Sequence, residues 1–298
     1  MQKPTNLKQG DKIAIVSTAR KLSLEELKPG IEVLKSWGLE VVLGSNLFEE
    51  DNQFAGTTKQ RITDFQIALN DESIKAIFCA RGGYGTVQII DELDFANFIK
   101  APKWIVGYSD VTVLHNHINQ NFNVQTLHAA MPFGFKDNTV EALNSIKKVL
   151  FGEQLTYEFD KHPFNRNGEA NGELVGGNLS ILYSLTGTES QINTNGKILF
   201  LEDLDEYLYH IDRMMMNLDR AGMLDGLAGL VVGGMTDMND NTVPYGKTAK
   251  EIIQQTVSKY NYPVCFDFYA GHLNDNRALP MGGKALLKVD DKCSLVFS

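Results

Sequence analysis

The 298-residue sequence has little cysteine, and its three cysteines, Cys79, Cys265 and Cys293, are widely spaced. An odd number without a Cys-x-x-Cys pair argues against a disulfide framework and against a structural zinc site. Long apolar runs are also missing, since none approaches the roughly 18 residues that a transmembrane helix needs. Residues 1–10 contain no apolar stretch of the kind that forms a signal peptide. We therefore expect a cytoplasmic protein without a membrane partner.

Positive charge is scarce as well. The 28 lysines and arginines are outnumbered by 37 aspartates and glutamates, which gives a formal net charge of −9. Because such a protein repels phosphate backbones, we expect no nucleic-acid partner. The 43% of hydrophobic and 22% of charged residues are typical of a globular protein with a core. The length favours two domains.

Short apolar runs alternate with amphipathic stretches in the first half of the chain. Residues 12–17 predict a buried strand, and residues 24–37 predict a helix with Ser23 as its N-cap and Glu26 three residues later. The other predicted elements here are strands at 40–43, 74–80 and 103–107 and helices at 58–70, 85–93 and 111–120. This alternation predicts an α/β fold over residues 1–150, with a parallel sheet flanked by helices. In such sheets ligands bind at the carboxyl ends of the strands.

The second half has a different pattern. Residues 151–171 are rich in Gly, Asn and charge without a clear period, and we interpret them as the connection between domains. Residues 172–298 mix two helices with several strands, which predicts a C-terminal α+β domain. The elements expected there are helices at 179–185 and 207–221 and strands at 197–202, 227–234, 263–268, 285–289 and 293–297.

Ser109 lies where a buried strand ends and a helix begins, in the run Gly107-Tyr-Ser-Asp. A sharp turn at such a position exposes a serine hydroxyl near free helical N–H groups, which favour negative charge. The N–H of Asp110 could then contribute to an oxyanion hole. On spacing alone, the alternative that Ser109 or Asp110 only caps the helix carries equal weight.

The run Arg81-Gly-Gly-Tyr-Gly-Thr also follows a strand. Its glycines allow close backbone approach to a ligand, so the loop could form an oxyanion hole through the Gly83 N–H, cradle a phosphate, or be a tight turn. It matches no nucleotide-binding signature. Arg81 could hold a substrate carboxylate or pair with an internal acid.

Two further residues are candidates for acid–base chemistry. Glu202 ends an apolar strand and begins an acidic cluster, where it could orient a histidine or belong to a solvated surface. His272 lies in a polar loop after a strand, and a histidine in such a cleft-facing position is a candidate general base. His210 and Arg213 are three residues apart on the next helix and could share a face.

Five motifs, in order and at fitting distances, closely resemble the LD-carboxypeptidase family of serine peptidases, which includes the microcin C immunity peptidases. The motifs are Arg81-Gly-Gly-Tyr-Gly, Gly107-Tyr-Ser-Asp, Gly176-Gly-Asn-Leu, Leu201-Glu-Asp and Gly271-His. The resemblance extends from about Gly10 to Leu287.

The resemblance implies a Ser109–His272–Glu202 triad between two domains, with the oxyanion hole at Gly83 and Asp110. It implies no metal or cofactor, and a homodimer. It further implies a carboxypeptidase that releases terminal D-alanine from murein tetrapeptide during cell-wall peptide recycling. Substrate-binding candidates are Arg81, Tyr84 and Arg213.

Two alternatives stay open. One is a microcin-type peptidase that cleaves peptidyl-nucleotide amides. The chain carries no obvious large insertion, which fits the murein enzymes better than the microcin type. The other is a non-catalytic binding protein for a small ligand, which would use the Gly-rich loop and treat Ser109 as a helix cap.

Overall fold

The computed structural model describes residues 1–298 and contains two β-sheets with helices packed around them. The strands are β1 (Lys12–Val16), β2 (Glu40–Leu43), β3 (Ile74–Cys79), β4 (Trp104–Gly107), β5 (Thr126–His128), β6 (Thr156–Phe159), β7 (Gly168–Asn178), β8 (Ile198–Leu204), β9 (Gly229–Thr236), β10 (Val264–Cys265), β11 (Leu279–Met281), β12 (Lys284–Val289) and β13 (Cys293–Phe297). The α-helices are α1 (Leu24–Ser36), α2 (Thr58–Asn70), α3 (Ala96–Lys100), α4 (Thr112–Phe122), α5 (Val140–Leu150), α6 (Leu179–Leu185), α7 (Leu208–Arg220) and α8 (Ala249–Thr256). None of these helices combines the length and the apolar character that crossing a bilayer requires.

The first sheet has the strand order β11-β5-β4-β3-β1-β2, and its five N-terminal strands run parallel. Successive side chains of a strand point to opposite faces. In β3, Ala76 and Phe78 belong to one core cluster and Ile77 and Cys79 to another, so both faces of the sheet are covered. The predicted α/β character of the first half is therefore confirmed.

The predicted start of α1 is also confirmed. The Ser23 side chain accepts a hydrogen bond from the N–H of Glu26, and the Glu26 carboxylate accepts one from the N–H of Ser23. Such a capping box satisfies two amide groups that the helix itself leaves unpaired.

The second sheet has the order β10-β9-β8-β7-β12-β13-β6. Strands β7, β8, β9 and β10 run parallel, whereas β7, β12, β13 and β6 are antiparallel neighbours. This mixture confirms the predicted α+β character of the second half.

The segment 151–171, which we interpret from its sequence as a connection, contributes strands to the second sheet. It contains β6 and the beginning of β7. Exposed and buried residues alternate along β6, but its four residues are too few to show a period in the sequence. The C-terminal part of the chain contributes to both sheets. Strand β11 pairs antiparallel with β5 in the first sheet, whereas β12 and β13 belong to the second. The chain therefore crosses between the two sheets more often than the sequence indicates.

Other differences are local. The helix expected at 85–93 consists of two 3-10 turns, Thr86–Gln88 and Ile90–Glu92, and the strand expected at 263–268 is limited to Val264–Cys265. Helices α5 and α8 were not predicted, although Thr139 and Thr248 cap them with side-chain hydrogen bonds.

Candidate active site

Ser109 lies in a strained turn between β4 and α4. All four residues of β4 are buried, and after Tyr108 the chain forms one 3-10 turn, Ser109–Val111, before α4 begins. Ser109 has a φ of 63°, a region that residues other than glycine rarely occupy. Backbone strain of this kind is concentrated at functional positions. The turn leaves the half-buried Ser109 at the carboxyl end of β4.

Neither Ser109 nor Asp110 caps α4, because the residue at the N-cap is Val111 and no side-chain hydrogen bond closes this end. The Asp110 side chain instead accepts hydrogen bonds on Oδ2 from the Thr86 N–H at 2.8 Å and the Thr86 hydroxyl at 2.7 Å. Burial raises the pKa of Asp110, and the two Thr86 hydrogen bonds act against that rise. Asp110 therefore ties the Ser109 turn to the Gly-rich loop.

The Gly-rich loop runs directly beside Ser109. A Cβ on Gly82 would lie 3.3 Å from the Ser109 Cβ and 3.4 Å from its Oγ, so a side chain there would crowd the hydroxyl. Gly83 has a φ of 123°, and a Cβ on it would overlap the Arg20 side chain. Within the Ser109 turn, the N–H groups of Val111 and Thr112 donate the backbone hydrogen bonds. The N–H of Asp110 donates none of them.

Glu202 and His272 form a partly buried pair. Glu202, in β8, is 0% exposed, and its Oε2 accepts a hydrogen bond from His272 Nδ1 at 2.7 Å. Gly271 has a φ of 112°, and a Cβ on it would lie 2.8 Å from the Glu202 Cβ, so glycine permits the close approach of this loop. The Gly271 N–H donates to Asn276 Oδ1 at 2.9 Å, which fixes the loop from its other side.

The charge of Glu202 controls the titration of His272. Burial disfavours the imidazolium, but the Glu202 carboxylate and its hydrogen bond outweigh burial, with a smaller contribution from Asp203. The pKa of His272 is therefore raised above its ordinary value of 6.5. A carboxylate on Nδ1 also fixes the tautomer, which leaves Nε2 free to accept a proton.

The two loops meet at one cleft. The Tyr108 ring lies 4.9 Å from the His272 ring, measured between centroids. Both residues line a cleft of about 280 Å³ together with Arg81 and Phe133. The structure thus brings the turn that carries Ser109 next to the Glu202–His272 pair.

Arg81 is the cation in this cleft. Its guanidinium stacks on Phe133, 4.2 Å from the ring centroid, and donates to the backbone oxygen of Lys21 at 3.2 Å. Burial lowers the pKa of Arg81, as does the neighbouring Arg20, while Glu26 raises it. Arg81 makes no ion pair with a carboxylate of the chain, so the alternative of an internal acidic partner is not observed.

Tyr84 and Arg213 do not line this cleft. Tyr84 is 50% exposed, and its ring lies 6.3 Å from that of Phe54. Arg213, on α7, stacks over Tyr209 at 5.2 Å. His210 is bound through Nδ1 to Glu206 at 2.6 Å, one helical turn away.

His128 follows an apolar run in the sequence, which suggests a position lining the cleft, but it is not among the lining residues and lies against Tyr108 instead. It is 0% exposed, both of its ring nitrogens lack a hydrogen-bond partner, and its ring lies 5.8 Å from that of Tyr108. Burial lowers its pKa well below 6.5, and His115 and His272 lower it further. The only sequence signal was its position at the end of a short apolar run.

A larger cleft, of about 800 Å³, lies elsewhere. It is formed by residues 87–99 together with His117, Phe122 and residues 184–190, and none of the predicted site residues lines it. We place the candidate site at the smaller cleft because His272, bound to Glu202, and Arg81 line it together with Tyr108, the residue that precedes the strained Ser109.

Both domains of one known family match this chain. The LD-carboxypeptidase N-terminal domain matches residues 13–129, and the LD-carboxypeptidase C-terminal domain matches residues 171–287. The chain belongs to the LD-carboxypeptidase family. The family resemblance of its five motifs is thereby confirmed.

Relatives of this chain cover nearly its whole length. A probable murein peptide carboxypeptidase of Bacillus subtilis is 35% identical over 99% of this chain and 94% of its own. The crystal structure of a muramoyltetrapeptide carboxypeptidase from Oxalobacter formigenes is 28% identical, with a TM-score of 0.88 over 96% of this chain and 98% of its own. An MccF-like protein from Bacillus anthracis is 25% identical, with a TM-score of 0.86 over 100% and 99% of the two chains. These relatives support a peptidase role for this chain.

Proposed function

We propose that this protein is a serine carboxypeptidase with Ser109 as nucleophile, His272 as general base and Glu202 as the acid that orients the base. The observation that carries the proposal is the hydrogen bond between the buried Glu202 and the partly buried His272, beside the strained Ser109 turn. A base oriented by a third group, close to a hydroxyl nucleophile, is the arrangement that activates serine.

The chemistry follows from these three residues. Ser109 Oγ attacks the peptide carbonyl carbon while His272 Nε2 takes the hydroxyl proton, and Glu202 stabilises the imidazolium. The C–N bond then breaks, His272 gives its proton to the leaving amine, and an ester to Ser109 remains. Water attacks this ester, again losing its proton to His272, and the proton returns to Ser109 as the acid product leaves.

The oxyanion of the tetrahedral intermediate requires preorganised donors. We assign them to the N–H groups of Asp110 and Gly83. The side chain of Asp110 holds the Ser109 turn against the Gly-rich loop, which keeps the two segments together. Donors of this kind each contribute roughly 3–4 kcal/mol to transition-state stabilisation in comparable sites.

A carboxypeptidase also needs a cation for the terminal carboxylate of its substrate. Arg81 is our assignment, because it lines the His272 cleft and makes no ion pair within the chain. The positions of Tyr84 and Arg213 outside the lining of that cleft favour Arg81 over both.

The proposed substrate is murein tetrapeptide, cleaved between the L-centre of its diamino acid and the terminal D-alanine. The names of the Bacillus subtilis and Oxalobacter formigenes relatives support this choice. The product would be a tripeptide for cell-wall peptide recycling.

Mass spectrometry of products from L-Ala–D-Glu–diaminopimelate–D-Ala tests the proposal. We expect the release of one alanine, which D-amino-acid oxidase will consume, and no further cleavage of the tripeptide. The same peptide with terminal L-alanine is the stereochemical control. Cleavage of any other bond, or equal cleavage of the control, would contradict the proposed specificity.

Two other functions are tested by companion assays on the same protein. Hydrolysis of an aminoacyl sulfamoyl-adenosine without hydrolysis of the tetrapeptide would support a microcin-type peptidase, for which the MccF-like fold is the favouring observation. Failure of the folded protein to react with a serine-directed phosphonate would support a non-catalytic binding protein.

A further inference from the structure

A buried polar contact joins the two sheets one turn beyond Ser109. Thr112, the first residue of α4, accepts on Oγ1 a hydrogen bond from the backbone N–H of Asn178 at 3.0 Å. Asn116, one turn later, donates through Nδ2 to the backbone oxygen of Gly176 at 3.2 Å. Thr112, Asn116 and Asn178 are each at most 4% exposed. The helix that begins at the Ser109 turn is therefore hydrogen-bonded to the end of β7.

The two glycines of the Gly176-Gly-Asn motif permit this approach. Gly177 has a φ of 133°, and a Cβ on it would lie 2.5 Å from the Thr112 hydroxyl oxygen. Gly176 has a φ of 118°, and a Cβ on it would overlap the backbone oxygen of Phe200. No catalytic role explains these glycines, whereas close contact between α4, β7 and β8 does.

The same corner is bonded to the residue that follows Glu202. Asn178 Nδ2 donates to Asp203 Oδ1, and the Ser180 N–H donates to Asp203 Oδ2, both at 2.9 Å. Asp203 is 2% exposed. Burial, and then the Glu202 charge, raise its pKa to about 7, while hydrogen bonds from Leu204 and Asn178 oppose that rise.

We propose that Thr112, Asn116, Asn178 and Asp203 form an inter-domain clamp that sets the position of Ser109 relative to the Glu202–His272 pair. Two hydrogen bonds, from Asn178 to Thr112 and from Asn178 to Asp203, connect the helix after the nucleophile with the neighbour of the acid. The four residues are positioning residues, and the inference rests on the proposed triad. It goes beyond the triad by giving the second domain control over the geometry of the nucleophile.

The test compares two substitutions of Thr112. Thr112→Val keeps the shape and removes the acceptor for the Asn178 N–H, so we expect kcat to fall about 10- to 100-fold with KM within about twofold, because small displacements of reacting groups have effects of this size. Thr112→Ser keeps the hydroxyl and should restore most of kcat. Turnover is measured on murein tetrapeptide and expressed per folded enzyme, determined by circular dichroism.

Thr194→Val is the matched control. Thr194 is also buried and donates its hydroxyl to the backbone oxygen of Met223 at 2.7 Å, but it lies outside the clamp. The control loses the same chemical group, so it is expected to lower the melting temperature without lowering kcat of the folded enzyme. Equal kcat losses in Thr112→Val and Thr194→Val would show that the clamp contributes only to general stability, and would overturn the inference.

The remaining outcomes are also decisive. Wild-type kcat in Thr112→Val, or a loss in Thr112→Ser as large as in Thr112→Val, overturns the clamp. If Thr112→Val does not fold, Asn116→Ala takes its place, with a lower kcat expected and an unchanged kcat contradictory. Failure of the proposed function itself is distinct, because the wild-type enzyme would then neither cleave the tetrapeptide nor react with a serine-directed phosphonate at Ser109.

Discussion

The two halves of the proposed site are held in different ways. On the first sheet, backbone conformation dominates: Ser109 has a φ of 63°, and Gly82 leaves room for its hydroxyl. On the second sheet, a side-chain hydrogen bond dominates, between the buried Glu202 and His272 at 2.7 Å. The nucleophile is thus presented by a strained backbone turn, whereas the base is oriented by a charged hydrogen bond.

This difference separates the expected effects of substitution. Substitutions in the Ser109 turn should alter catalysis and backbone strain. The energy of that strain should depend little on pH. Changes at the Glu202–His272 pair should alter the titration of the base, because the Glu202 charge raises the pKa of His272.

Ser109→Ala should abolish turnover, with kcat lower by roughly 10⁴- to 10⁶-fold, as for other activated serines. The fold should persist, because alanine fits wherever serine does. Steady-state kinetics on murein tetrapeptide measure the loss, and circular dichroism is the control for folding. Retention of more than a small fraction of wild-type turnover would remove Ser109 from the mechanism.

Glu202→Gln should lower kcat by about 10²- to 10⁴-fold, because the amide neither orients nor stabilises the imidazolium as a carboxylate does. His272 must be neutral to act as a base, so wild-type kcat/KM should fall as pH drops through a pKa above 6.5. Removing the Glu202 charge lowers that pKa, so the acidic limb of the pH profile should move to lower pH. A limb that stays in place, or moves upward, would show that Glu202 does not control the base.

Arg81→Ala should mainly raise KM, by about 10- to 100-fold, since loss of a charge-assisted hydrogen bond to a carboxylate costs about 1.5–3 kcal/mol. The kcat at saturating peptide should change far less. A C-terminally amidated peptide is the control, because it lacks the carboxylate and should bind both enzymes similarly. A selective loss of kcat in Arg81→Ala would contradict this assignment.

Ser109→Gly has the smallest of these expected effects, and it concerns stability. The substitution should stabilise the fold, whereas most substitutions destabilise it. Glycine adopts φ near 63° without strain, so the variant should be more stable than Ser109→Ala by about 0.5–1 kcal/mol. Thermal unfolding of the two inactive variants measures the difference. A glycine variant no more stable than the alanine variant would show that the turn stores no strain.

The sequence predicted well those features of the fold that depend on residues close together in the chain. The capping box of Ser23 and Glu26 and the buried strand of Ile74–Cys79 depend on residues close in the chain. The pairing of β11 with β5 could not be predicted, because it joins residues about 150 positions apart by hydrogen bonds that leave no local pattern. The exchange of strands between the sheets was missed for the same reason.

The candidate site was predicted to a similar extent. From the sequence, Ser109, Glu202 and His272 were each expected at a strand end or in a polar loop, and the family resemblance joined them; Glu202 in fact lies inside β8. The Asp110–Thr86 contact and the clamp at Thr112 and Asn178 were not predicted, because they depend on side-chain directions that spacing does not give. Arg213 was chosen for its charge alone, and the structure places it outside the lining of the cleft.

In the proposed mechanism, residues carried by two different sheets act on one bond. The most direct test is the rate at which a serine-directed phosphonate labels Ser109, read by peptide mass spectrometry, in wild-type and His272→Ala protein. We predict labelling of Ser109 in the wild-type enzyme and a rate at least about 100-fold lower in the folded His272→Ala variant, since general-base assistance contributes 10²–10⁴-fold. Equal labelling rates, or labelling of another residue, would contradict the account.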